Sequence, residues 1–223
     1  MFQKKFRYMA AVLAALMIIQ GSFTAFAAEI GPGYDEQNKA STDTSVTDPA
    51  HAWKKVNGVY VDNNGKTIEG ALLRGISVAK WQGDIDWAKV AADDISFAFI
   101  KMMSYGYEGG YTMDPNYEKN MKGALDNGVQ AAPYVYLQTK TVEEAKAAAK
   151  YAVEKVSGYN VKYELAVAVE SYYLLALSVQ ELTDVVNAFC DTIAAAGYTP
   201  IVYSDYSQFT TEMDTKQIHY DIW

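Results

Sequence analysis

From Arg74 onward the chain alternates between two patterns. Short, nearly continuous apolar runs occupy Gly75–Ala79, Ile95–Met102, Val129–Leu137, Leu165–Ser171 and Pro200–Ser204, and Ile218–Trp223 begins another. Apolar runs of this length predict strands buried on both faces. Between them, apolar positions recur every three or four residues, which predicts amphipathic helices. Asp86–Asp94 turns Trp87, Val90 and Ala91 to one side, and Asp114-Pro115 reads as an Asp N-cap followed by a first-turn proline. Thr141-x-x-Glu144 and Ser178-x-x-Glu181 are capping boxes that start two more helices. The first of these buries Ala145, Ala148, Ala149, Ala152, Val153 and Val156. The second buries Leu182, Val185, Val186, Phe189, Cys190 and Ile193. Alternating strands and helices predict a parallel sheet covered by helices on its outside. A β/α barrel and a doubly wound sheet both fit that pattern. No Gly-x-Gly-x-x-Gly follows the first strand, which removes the dinucleotide-binding argument for the second.

The N-terminal third differs. Lys4, Lys5 and Arg7 precede an apolar run from Tyr8 to Ile19, and Ala25-Phe26-Ala27 follows. Residues 1–27 are expected to be a signal peptide cut near Ala27, an uncleaved membrane anchor being the alternative. Residues 28–52 are polar and read as a flexible linker. Residues 53–72 read as a lead-in β-hairpin, with a turn at Asp62-Asn63-Asn64-Gly65. Its aromatic and glycine spacing also faintly resembles one repeat of a wall-binding module. Residues 73–223 form the main domain.

Composition narrows the function. A formal net charge of −8 argues against nucleic-acid binding, and removing the signal peptide takes only positive charges away. Cys190 is the single cysteine, so no intrachain disulfide exists, and its helix face marks it as a small core residue. The 18 tyrosines suit a sugar cleft, where rings stack on C–H faces and hydroxyls bond sugar hydroxyls.

In parallel β/α barrels function collects at the C-terminal ends of the strands. Those ends hold Ser77 to Gln82, Lys101, Tyr134, Tyr136, Glu170, Tyr203 and Ser204. Glu170 follows a nearly pure core strand and shares its face with Ala166 and Ala168. A carboxyl placed there is either pushed toward its neutral form by burial, as a general acid requires, or turned to water or a lysine.

These residues carry a family resemblance. Gly75-Ile76-Ser77-Val78-Ala79-Lys80-Trp81-Gln82-Gly83 resembles the first strand of family 25 lysozymes, typically G-I-D-V-S-x-x-Q-G. Asp84-Ile85-Asp86-Trp87, Asp114-Pro115-x-Tyr117-x-x-Asn120, Pro133-Tyr134-Val135-Tyr136 and Pro200-Ile201-Val202-Tyr203-Ser204 resemble later family segments in the same order. Leu165 to Glu170 resembles the strand reading D-x-E. The resemblance implies an irregular TIM-like β/α barrel, incomplete at the C-terminal end because family strands lie beyond Trp223. It implies a secreted muramidase acting on bacterial peptidoglycan, at the β-1,4 bond between N-acetylmuramic acid and N-acetylglucosamine. Glu170 would be the general acid, and Tyr136, Tyr203, Trp223 and Lys101 would bind glycan. The resemblance implies no cofactor and no metal, and membrane contact is expected only through the uncleaved signal peptide.

Two family aspartates are replaced, by Ser77 and Ala168. That replacement implies little or no activity, and it keeps open a second reading, a wall-binding protein with a sugar cleft but without the acid cluster. Asp84 and Asp86 read as a turn residue and a helix N-cap.

Overall fold

A computed structural model describes residues 54–62, 64–106, 110–161 and 164–223. The expected signal peptide and linker lie outside the described residues. The chain divides into two compact units, one ending at Arg74 and one starting at Gly75.

In the first unit β1 (Lys54–Val56) pairs antiparallel with β2 (Val59–Val61). The connection is Asn57-Gly58, both at positive φ (52° and 82°), the two-residue turn that suits the right-handed twist of a hairpin. The expected turn at Asp62–Gly65 exists as well, but it does not join the paired strands. There the Asp62 carboxylate accepts the backbone N–H groups of Asn64 and Lys66, and Val61 bridges to Thr67.

The second unit is a parallel sheet with helices outside it. Its strands are β3 (Gly75–Val78), β4 (Phe97–Tyr105), β6 (Gln130–Leu137), β7 (Glu164–Ala168), β8 (Thr199–Tyr203) and β9 (Asp221–Ile222), adjacent in that order. Short β5 (Tyr111–Met113) was not foreseen, and it pairs antiparallel with β4. The helices are α1 (Trp87–Ala92), α2 (Tyr117–Asp126), α3 (Val142–Val156) and α4 (Val179–Ala195). Asp86 caps α1 by accepting from the Lys89 N–H, and Ser178 and Glu181 complete both halves of the capping box on α4. Cys190 is fully buried among its expected neighbours on α4.

Strand alternation sorts the side chains into two layers. Ala98, Ile100, Ala131, Val135, Leu165, Val167, Val169 and Val202 pack outward with the helices into one apolar core. Their alternates, among them Phe99, Lys101, Tyr134, Tyr136, Ala166, Ala168 and Tyr203, belong to the inner face, and the ladder registers agree. One irregularity interrupts this. The β4–β6 register shifts between Lys101 and Met103, so Met102 and Met103 both enter the outer core while Lys101 and Ser104 keep inner positions beside Tyr134 and Tyr136. This is a β-bulge, which re-aims side chains without ending the strand.

The sheet is rolled. Phe99 on β4 stacks against Trp223, just past β9, across three intervening strands. This half-barrel is the incomplete TIM-like barrel expected from the sequence.

Candidate active site

Glu170 lies two residues past the end of β7, where Val169 N–H still donates to the Tyr203 carbonyl at 2.8 Å. It continues the inner column of Ala166 and Ala168. Both alanines are buried, with Tyr134 and Tyr136 beside them on β6 and Ile201 and Tyr203 beside them on β8. Burial pushes its pKa from the ordinary carboxylate value up to about 7. A hydrogen bond from the Tyr203 hydroxyl and the charge of Lys101 act against this rise, and the negative charge of Asp205 adds to it. A carboxyl poised near neutrality, with a phenol beside it, can give a proton and take one back.

Lys101 is 7% exposed, and its ammonium lies 5.0 Å from the centroid of the Tyr136 ring. The bulge that follows Lys101 keeps it in the inner column. Tyr136 itself is only half-buried. Burial, then the Glu170 charge and hydrogen bond, hold the Tyr203 phenol far above its usual range, so it stays a donor.

Tyr203 and Trp223 are each 8% exposed. Trp223 packs on Phe99 with ring centroids 3.9 Å apart and on Tyr203 at 4.5 Å, so the Phe99 side of the indole is covered. Both residues floor the site rather than offering an open platform. Ser77 pairs with Phe99 in register, and Ala168 pairs with Tyr136 and with Tyr203. The two expected acid positions therefore both fall in inner columns, on β3 and β7.

The strand ends hold further aromatics, and of these the sequence reading passed over all but Trp81. Tyr172, 36% exposed, packs on Tyr173 at 4.1 Å, with the Lys140 ammonium 6.0 Å from the Tyr173 ring. Tyr206, just past β8, is 83% exposed, and Lys80 lies over the half-buried Trp81 after β3. Their signal was sequence position: each stands in the first few residues after a parallel strand or a ladder extension.

Asp114 differs from its expected role. It does not cap α2, which starts at Tyr117 after Asn116. It is buried, its Oδ2 accepts the Lys80 N–H at 2.8 Å and its Oδ1 the Asn116 N–H, and its own N–H donates to Met102. It therefore ties the turn after β3 to β4. Asp84 forms an exposed ion pair with Lys119, away from the inner columns.

The family model of glycosyl hydrolases family 25 matches residues 76–223. The chain is 27% identical over 157 residues to the protein YegX of Escherichia coli strain K12, covering 68% of this chain and 55% of that one. It thus spans about half the length of the curated relatives it matches. Among solved structures it resembles the modular autolysin LytC of Streptococcus pneumoniae, with a TM-score of 0.63 and 20% identity over 75% of this chain and 41% of that one. It also resembles a family 25 glycosyl hydrolase of Bacillus anthracis, with a TM-score of 0.55 and 20% identity over 68% and 69% of the two chains. LytC has also been solved with a synthetic peptidoglycan ligand.

Proposed function

Since this chain belongs to glycosyl hydrolases family 25, we propose that it is a secreted peptidoglycan hydrolase cleaving the β-1,4 bond between N-acetylmuramic acid and N-acetylglucosamine. Glu170 acts as general acid. The observation that carries this reading is the half-buried Glu170 carboxyl, at the C-terminal end of an inner column, with a pKa raised to about 7. Near neutral pH it is substantially protonated, and it can protonate the leaving glycosidic oxygen where a carboxyl at the ordinary value cannot. Lys101 and Tyr136 hold the sugar beside it, over the floor formed by Tyr203 and Trp223. Residues 1–27 direct export, and the exported protein begins within a few residues of Ala28, which mass spectrometry of the secreted N-terminus tests.

The deciding experiment measures reducing ends released from purified peptidoglycan by the native chain and by Glu170→Gln. The amide keeps the shape but has no proton to give, so release is expected to fall to background. Native-like release by Glu170→Gln would overturn the assignment.

Ser77 and Ala168 favour a second reading, a wall-binding protein with weak turnover or none. Under it the native chain cosediments with peptidoglycan and releases no reducing ends.

A further inference from the structure

Ala168 leaves Glu170 without a carboxylate two residues back on its own strand. The neighbouring strand supplies one. Strands β7 and β8 run parallel with Leu165 opposite Pro200 and Ala168 opposite Tyr203. The Val169 N–H bond to the Tyr203 carbonyl carries this pairing past the last ladder pair, and the Ser204 hydroxyl donates to the Val169 carbonyl. Continued to the strand ends, the same register sets Asp205 opposite Glu170. Each lies two residues past the end of its strand, and Asp205 is exposed. The Asp205 backbone is fixed, because its carbonyl accepts the Phe209 N–H at 3.1 Å and its Oδ1 accepts the Gln208 N–H at 2.8 Å. Among the described residues Oδ2 has no hydrogen-bond partner. The negative charge of Asp205 acts on both Glu170 and Tyr203.

We propose that Asp205 is the second carboxylate of the site, standing just past β8 where the family resemblance implies an aspartate on β7. The proposal rests on reading Glu170 as the acid. In the reaction the C1–O bond breaks and its electron pair stays with the leaving oxygen, which takes the proton from Glu170. Positive charge builds at C1, and the ionised Asp205 stabilises it. Water then adds to C1 and gives a proton to the Glu170 carboxylate, which restores the acid, while Asp205 ends unchanged.

Asp205 also accepts the Gln208 N–H where the short helical turn Gln208–Glu212 begins, so the test must separate charge from that hydrogen bond. Asp205→Asn does so, because an amide oxygen accepts the Gln208 N–H as a carboxylate does. Asp205→Ser keeps an accepting oxygen too and serves if the amide variant misfolds by circular dichroism. Expected is a loss of roughly 10²–10³ in kcat on peptidoglycan with KM little changed, and an alkaline limb of the pH profile displaced to lower pH. In carboxyl-labelled protein the NMR titration of Glu170 moves the same way. Native rates in Asp205→Asn, an unmoved Glu170 titration, or a native chain without turnover would each overturn the proposal. Activity surviving in Glu170→Gln would overturn the reading beneath it, whatever Asp205 does.

Discussion

The rings of Phe99 and Trp223 stack with centroids 3.9 Å apart and planes 19° apart, although β6, β7 and β8 separate the strands that bear them. Only a sheet rolled toward its inner face brings these positions together. The floor of the site and the curvature of the sheet are thus one packing event.

Trp223→Ala removes a side chain only 8% exposed together with its contacts to Phe99 and Tyr203. A loss of about 3–5 kcal/mol is expected, as for large aromatic truncations in cores. Urea unfolding followed by far-UV circular dichroism measures it, and an unchanged midpoint would show that the stack does not hold the sheet.

The half-buried Glu170 makes stability depend on pH. Its folded value, about 7, lies above the ordinary carboxylate value of 4.5. The native state therefore holds a proton that the unfolded chain releases as pH rises through the unfolded value. The contribution is complete below that value and is lost by the time pH has risen through about 7. The loss amounts to roughly 3 kcal/mol. Glu170→Gln should abolish that part of the slope and be the more stable protein at alkaline pH. Urea midpoints at acid and alkaline pH, native against variant, provide the check.

Gly123 on α2 faces Trp87, and a Cβ there would come within 2.2 Å of the indole Cδ1. Gly123→Ala gains about 1 kcal/mol of helix propensity and meets an overpacking cost of about 1–3 kcal/mol. Net destabilisation is expected, with altered tryptophan fluorescence from the displaced Trp87. A more stable Gly123→Ala would mean that the α1–α2 contact is looser than it is drawn.

Ala168→Asp restores an acid in the column below Glu170, at a position 3% exposed. Placed in an Asp205→Asn background, it should recover most of the roughly 10²–10³ lost, and it should lower stability because a buried carboxylate is costly without partners. Reducing-end release and a thermal melt on the same samples report the two effects. Destabilisation without any recovered rate would place the added carboxylate out of reach of the reacting sugar.

Much of this was legible in the chain because alternation is a local property. The inner parity of Ala166, Ala168 and Glu170 follows from a run of apolar residues counted in twos, and the Ser178–Glu181 box marks its helix by itself. Other features depend on what lies across the fold. Asp114-Pro115 has the local look of an N-cap, yet the carboxylate is bound to the Lys80 amide on another turn. Asp205 stood outside a strand read to end at Ser204, and its position matters only once β8 is known to lie beside β7. Met102-Met103 reads as more of the same apolar run, so nothing local announces the bulge. Asn57-Gly58, by contrast, is a strong hairpin signal that was outweighed by the longer polar cluster after it.

That bulge also governs how β4 can change in length. Because Lys101 and Met103 face consecutive residues of β6, Tyr134 and Val135, Met102 is supernumerary to the ladder. Deleting it leaves every other side chain of the strand on its present face and removes only one apolar group and the carbonyl that receives the Asp114 N–H. Deleting Ile100 instead would carry Lys101 to the outer face and strip the cleft of its buried cation. In descent as in engineering, then, Met102 is the point on this strand where a one-residue gap is tolerated, while the residues before it admit exchange but not loss.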